Sequence, residues 1–280
     1  MIAAGVAALV APAFAHAYGW PVKPFDRQHP VRAAFDDPRM GRWGHYFHFG
    51  IDISAADGTA VYAVAPGTVY RYSDAVAIRR ADGKEFSYWH VRATVPEHSF
   101  VKAGEKIGFV RPGFGHVHFA EFDGKTYVNP LRRGALAPFR DTTAPVVGPI
   151  DVLQKGAKIQ ATVQAFDIPP IPPPGAWRQA VWTPEEVEWR LLEGGRAVVP
   201  WTVVADFSRF HSPAQYDRIY APGTQQNHPG RPGRYVFWLT HGMQLVDGEY
   251  AIQVRAMDTR GNTGSAALEF AVAADLGTSK

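Results

Sequence analysis

Between residues 45 and 130 the chain is a succession of short apolar runs separated by glycine turns. Nowhere in that span does a three-to-four-residue apolar spacing persist long enough for an amphipathic helix. Residues 45–53, Ala60-Val61-Tyr62-Ala63-Val64 and Gly67-Thr68-Val69-Tyr70-Arg71-Tyr72 read as strands, as do residues 101–110 and 117–122. Residues 76–80 and 84–91 flank Ala81-Asp82-Gly83, an Asp-Gly turn that closes a hairpin. A chain so punctuated can bury its apolar side chains only in antiparallel sheets. The expected class is all-β.

Asp141-Thr142-Thr143-Ala144-Pro145 is polar and ends in proline, the composition of a linker. Beyond it, strand-like runs recur at residues 158–166, 187–192, 197–204, 234–240, 249–257 and 266–272. Two independently folding β units are therefore expected, residues 18–140 and 141–280. The last hairpin, entered through Asp247-Gly248-Glu249-Tyr250 and closed by Asp258-Thr259-Arg260-Gly261-Asn262, resembles the closing strands of bacterial immunoglobulin-like β-sandwiches. Tyr250 stands where such sandwiches carry a corner tyrosine. Two segments exceed a bare sandwich. Ile168-Pro169-Pro170-Ile171-Pro172-Pro173-Pro174-Gly175 reads as a stiff spacer. Residues 206–233 read as a long irregular insertion whose His211 and His228 have no companions at ligand spacing.

The chemistry-bearing residues cluster in the first unit. In Gly115-His116-Val117-His118-Phe119, alternation along a strand puts both imidazoles on one face, with Val117 and Phe119 on the other. Upstream, His48-Phe49-Gly50-Ile51-Asp52 holds a His and an Asp on one face of an extended segment. A catalytic zinc site uses three nitrogen or oxygen ligands and keeps one position open. His48, Asp52 and one of the downstream pair supply that set. His90, at the end of Ser87-Tyr88-Trp89-His90, is a fourth histidine in the same constellation. No His-Glu-x-x-His occurs, so the helical zinc motif with a Glu base is absent.

Export is expected from the amino terminus. Residues 2–14 are small and apolar and lead into Ala13-Phe14-Ala15 and Ala15-His16-Ala17, small-residue spacings of a cleavage site. The run is too short to span a bilayer comfortably, so residues 1–17 read as a signal peptide; the first basic side chain is Lys23. The cleaved product would lie outside the cytoplasm, periplasmic or wall-associated, with no membrane anchor. Cysteine is absent, which excludes a thiolate zinc site and a lipidated cysteine, and a chain of 280 residues can build its core without disulfides. A hydrophobic fraction of 46% against 20% charged marks a globular chain. The net charge of +3 comes with no Lys/Arg cluster, so a nucleic-acid partner is not expected.

The order His48…Asp52, His90, His116-x-His118 resembles the lysostaphin/LytM-type zinc endopeptidases. The surrounding text is similar too. His48-Phe49-Gly50-Ile51-Asp52 runs on into Gly58-Thr59-Ala60-Val61-Tyr62-Ala63, Tyr88-Trp89-His90-Val91 follows, and Val101 leads to a turn through Gly104 and Gly108. Asn129-Pro130-Leu131 matches the usual exit from the domain. The resemblance implies that His48, Asp52 and His118 bind one Zn²⁺ per chain and that His90 and His116 act beside the metal as catalytic groups. It leaves open which of the two is the base. Two departures stand out: Ala120 occupies the place where the family usually has Glu, with Glu121 on the other strand face, and Arg111-Pro112-Gly113-Phe114 is a shortened loop before the His pair. The implied substrate is the stem or cross-link peptide of peptidoglycan. The alternative, a non-catalytic regulator or wall-binding module, is the role of family members that lose ligands; all five positions are filled here.

Overall fold

A computed structural model describes residues 17–42 and 44–273. The expected signal peptide, residues 1–17, lies outside the described residues apart from Ala17. Among the described residues no helix is long and apolar enough to cross a membrane.

Among the described residues, thirteen short strands build the first unit: β1 (Val31–Ala33), β2 (Pro38–Gly41), β3 (Gly44–Phe47), β4 (Ile51–Ser54), β5 (Ala60–Tyr62), β6 (Gly67–Arg71), β7 (Ala75–Arg79), β8 (Glu85–Trp89), β9 (Val91–Ala93), β10 (Phe100–Val101), β11 (Lys106–Val110), β12 (His116–Phe122) and β13 (Tyr127–Val128). The main sheet runs β1-β4-β12-β8-β7-β6-β10, with β13 attached to β12. A second sheet, β5-β11-β9, covers one of its faces, and β2 and β3 form a separate hairpin. The interior strand β12 pairs antiparallel with β4 and β8. Its alternation sends Val117 and Phe119, both fully buried, into the core shared with Val61, Val91, Ile107 and Val110 of the covering sheet. His116 and His118 are left on the opposite face.

Two expected strands break, and both breaks lie at the site. Residues 45–53 divide into β3 and β4 around a bend at residues 48–50, and residues 84–91 divide into β8 and β9 at His90, whose φ is 64°.

Residues 146–272 form two further antiparallel sheets. Strands β14 (Val146–Lys155), β15 (Lys158–Phe166) and β18 (Val236–Gln244) pair in the order β14-β15-β18. Strands β16 (Glu186–Glu193), β17 (Arg196–Asp206), β19 (Gly248–Met257) and β20 (Thr263–Val272) pair in the order β17-β16-β19-β20. Period-two alternation faces Ile159, Ala161 and Val163 of β15 toward Val187 and Leu191 of β16 and Ile252 and Val254 of β19, all fully buried in one core. The arrangement is a seven-stranded sandwich. Tyr250, near the start of β19, donates its hydroxyl to the Val246 carbonyl at 3.1 Å, four residues upstream. Strand β14 has no counterpart among the expected strands, because Gly148-Pro149 interrupts its apolar pattern. A shift in register between Val147 and Ile150 absorbs the proline, which cannot donate to the ladder.

The two units share no strand, but they exchange aromatic anchors. Trp182, from the segment ahead of β16, is buried in the first unit's core and donates its indole N–H to the Val31 carbonyl at 3.0 Å. Phe47 of β3 is buried in the second unit's core, among Phe207, Tyr216 and Tyr220. The insertion expected to be irregular thus carries a short helix, α1 (Tyr216–Ile219), and packs against β3. The expected linker is anchored as well. Asp141 is buried, and its carboxylate lies within ligand-atom reach, 4.8 Å, of those of Asp167 and Asp258. Burial and the neighbouring Asp141 charge raise the Asp167 carboxyl to about 8, so it is largely protonated at neutral pH.

Separate units would leave Phe47 and Trp182 without their surroundings. Trp182→Ala should therefore destabilise the whole chain by about 3–5 kcal/mol, as large-to-small core changes do. Equilibrium urea unfolding would show it; a loss of less than about 0.5 kcal/mol, typical of a surface position, would mean that the units merely touch.

Candidate metal centre

Four residues of extended chain span about 13 Å, so His48 and Asp52 could not meet at one ion along a straight strand. The bend at residues 48–50 brings them together: His48 Nε2 lies 3.1 Å from Asp52 Oδ1. Gly50 makes the bend possible. A Cβ there would sit 2.5 Å from the Phe119 carbonyl oxygen and 3.0 Å from His118 Cε1, so the chain can pass this close to β12 only without a side chain. Gly50→Ala should push β4 and β12 apart, lowering thermal stability and metal content together. Retention of full metal content at unchanged melting temperature would contradict the account.

Register supplies the third corner. His118 faces Asp52 across the β12–β4 ladder, with its Nδ1 3.1 Å from Asp52 Oδ1 and 2.7 Å from His48 Nε2. All three residues are buried. Ligands at about 2.0–2.1 Å around a tetrahedral ion stand about 3.3 Å from one another, and this triangle is close to that size.

Proton counting points the same way. His48 Nδ1 donates to the Ala34 carbonyl at 2.7 Å, which leaves Nε2 a bare acceptor facing the carboxylate. The other nitrogen of His118, Nε2, is buried with no hydrogen-bond partner. With the His118 proton on Nε2 the triangle holds three electron-pair donors and no hydrogen; with it on Nδ1, two donors and one hydrogen. A divalent cation satisfies all three at once, so the residues fit zinc.

The charges agree with that use. Burial, and then the nearby Arg39 guanidinium, push the His48 imidazole down to about 3, so it is neutral as a ligand must be. Burial works against the Asp52 charge, but His48, His118 and Arg39 together hold its carboxyl well below the usual range. Asp52 divides its oxygens: Oδ1 faces the two histidines, while Oδ2 accepts from Arg39 at 3.1 Å.

His90 and His116 stand beside the triangle, their rings 4.7 Å apart. His116 Nε2 is 3.5 Å from Asp52 Oδ1, and its Nδ1 lies 2.8 Å from the Phe114 carbonyl and 2.7 Å from an Arg32 guanidinium nitrogen. Burial pushes the His116 imidazole down to about 4. His90 donates from Nδ1 to Asp74 Oδ2 at 2.9 Å, and Arg111 holds Asp74 Oδ1 at 2.5 Å. Its left-handed backbone is pinned on both sides, N–H to the Asp74 carbonyl and C=O from the Arg111 N–H. Its ring stacks on Phe114 at 4.1 Å. Burial lowers its pKa, against the opposing pull of Asp74.

The shortened loop is thus part of the site. The N–H groups of Gly113 and Gly115 both donate to the Asp57 carboxylate, at 2.7 and 2.9 Å, and this tether presents Phe114 to His90. The centre opens into a cleft of about 270 Å³ walled by Tyr46, Phe49 and Trp89. Glu121 does point away from it, into a buried pair with Arg132 at 2.6 and 2.7 Å. His45 also lies away from the centre, tilted against the Tyr216 ring and 3.6 Å from Asp217. Sequence reasoning missed Arg32, Arg39, Asp74 and Arg111. No spacing signal links them to the histidines, because they reach the site from other strands and loops.

Comparison with known proteins gives the centre its context. Residues 46–130 match peptidase family M23. Over 95 residues the chain is 39% identical to the DD-carboxypeptidase/endopeptidase Mpg of Neisseria meningitidis serogroup B and, equally, to that of Neisseria gonorrhoeae. The match covers 30% of this chain and 22% of each relative, so it spans about a fifth of their length. Among solved structures, a catalytic-domain variant of the prophage-encoded M23 protein EnpA from Enterococcus faecalis is 29% identical, with 44% of this chain and 99% of that one covered and a TM-score of 0.33. A zinc-containing peptidase from Vibrio cholerae is 23% identical, with 41% and 39% covered and a TM-score of 0.35. The segment that matches peptidase family M23, residues 46–130, is thus the β-rich one that carries all five histidine and aspartate positions described above.

Proposed function

We propose that this protein is an exported zinc endopeptidase that hydrolyses stem or cross-link peptides of peptidoglycan. The observation that carries the reading is the triangle of His48 Nε2, Asp52 Oδ1 and His118 Nδ1 at 2.7–3.1 Å, with two unshared histidines beside it on an open cleft. His48, Asp52 and His118 would hold the ion, which supplies Lewis acidity toward a carbonyl and lowers the pKa of a water to about 7.

The remaining work falls to the chain's own groups. His90, with Nδ1–H committed to Asp74, keeps Nε2 as its lone-pair nitrogen, and the carboxylate stabilises the imidazolium that forms on taking a proton. That makes His90 the base toward water and the later donor to the leaving amine. His116 lies beside the Arg32 cation, and with Nδ1 accepting from that guanidinium its one proton stands on Nε2, so its part is to donate that N–H to the developing oxyanion. Tyr46, Phe49 and Trp89 offer apolar walls for a peptide. The Neisseria relatives, named for carboxypeptidase and endopeptidase activity, support a peptidoglycan substrate. A non-catalytic regulator would have no use for both His90 and His116 in place.

Metal analysis of protein never exposed to chelator, joined to turnover of purified peptidoglycan, tests the reading. About one Zn²⁺ per chain is expected, together with release of new peptide termini that stops on chelation and returns with added zinc. Absence of tightly bound metal would sink it; cleavage of casein but not of peptidoglycan would redirect it to protein substrates.

A further inference from the structure

Ligand His48 hangs from a single turn, residues 34–37. The Ala34 carbonyl accepts from its Nδ1 at 2.7 Å, the Asp37 carbonyl from its backbone N–H at 3.0 Å, and its own carbonyl accepts the Asp36 N–H at 2.8 Å. The turn is not a relaxed one. Asp36 has a φ of 58°, which a residue with a side chain adopts only where contacts impose it.

Those contacts come largely from the second unit. Asp37 Oδ1 accepts the Thr183 N–H at 2.8 Å, His211 Nδ1 bonds Asp36 Oδ2 at 2.8 Å, and the Tyr220 hydroxyl donates to the Asp36 carbonyl at 3.0 Å. Asp36 and Asp37 are wholly buried, so water cannot replace any of these partners. From within, the turn is closed by the bond from the Ala34 N–H to Asp37 Oδ2, at 2.7 Å, and by a long one from the Asp37 N–H to the Ala34 carbonyl, at 3.4 Å. His211 and Asp36 are 175 residues apart in the chain.

We infer that the second unit is a working part of the metal centre: Thr183, His211 and Tyr220 are positioning residues that set His48 through the 34–37 turn. The inference rests on the zinc reading above. It gives the insertion at residues 206–233 a role other than substrate contact, and it explains why Phe47 and Trp182 bind the units together on either side of the site. A metal ligand placed by a partner outside the coordination shell loses affinity when that partner goes, by about 10–100-fold.

The test uses the full chain and reads zinc affinity by competition with a chromophoric chelator. His211→Ala should weaken zinc by about tenfold. His211→Asn, whose amide nitrogen falls near the place of Nδ1 and can donate to Asp36, should recover most of that loss. Ile252→Val, which thins the sandwich core on the other sheet, should lower the melting temperature and leave affinity unchanged. Should His211→Ala fail to fold, Tyr220→Phe, which removes the hydroxyl and with it the bonds to the Asp36 carbonyl and to the Thr183 hydroxyl, should weaken zinc by a smaller amount. Unchanged affinity in whichever of these two variants folds, or an equal loss in Ile252→Val, would overturn the inference alone. A wild-type chain without affinity for zinc would overturn the site reading and the inference with it.

Discussion

Alanine at His48, at Asp52 or at His118 is expected to abolish stoichiometric zinc binding and peptide-bond hydrolysis together. The three positions contribute one donor each to a cluster with no fourth ligand among the described residues, so any loss leaves two. The drop in affinity should exceed the roughly 10–100-fold that an outer-shell partner costs. The variants should differ in stability. Asp52→Ala removes the carboxylate that pairs with Arg39 and leaves a largely buried guanidinium without its anion, a change of about 3–5 kcal/mol for a broken buried pair. His48→Ala removes a neutral ring and one hydrogen bond to Ala34, a milder loss. Metal analysis beside urea unfolding separates the two effects. Zinc retained in His118→Ala but lost in His116→Ala would mean that the strand pair had been assigned the wrong way round.

His90→Ala and His116→Ala should give the opposite pattern, full zinc with little activity. Neither ring is needed to complete the triangle, and both line the open cleft beside it. Loss of a positioned acid–base group costs about 10²–10⁴-fold in rate, and loss of an oxyanion donor about 10²–10³-fold. His90→Ala should therefore be the more damaging of the two. Asp74→Asn supplies a finer check. It keeps a hydrogen-bonding partner for His90 but removes the charge that favours the imidazolium, so it should lower kcat with little change in KM or zinc content. Near-normal kcat in the folded fraction of His90→Ala would reduce that residue to a packing role against Phe114.

Much of this site is legible in the amino-acid sequence, for a physical reason. Alternation along a strand is a local rule, so His116 and His118 on one face, with Val117 and Phe119 in the core, follow from their spacing alone. The all-β class follows in the same way from short runs, glycine turns and the lack of helical periodicity. The assignment of roles within the five-residue set comes from likeness to a family, not from spacing.

Distance in the chain hides the rest. The straight strand expected over residues 45–53 would have kept His48 and Asp52 apart; the bend that joins them exists because β12 passes within 2.5 Å of where a Gly50 Cβ would stand. Arg39 on Asp52, Asp74 on His90 and Arg32 on His116 are pairings between elements that no local pattern links, although they decide which oxygen faces the cluster and which nitrogen carries a proton. The contact of His211 with Asp36 is the extreme case. From sequence, His211 is an unaccompanied histidine in an insertion and Asp36 a turn residue in an irregular stretch. Only packing of the sandwich against the first unit brings them to 2.8 Å, in a place where a buried carboxylate must find a partner. The sequence thus determined which residues could hold a metal and on which strand faces they lie. The tertiary structure decided how they converge and what holds them there, because burial and hydrogen bonding between distant segments depend on the whole fold.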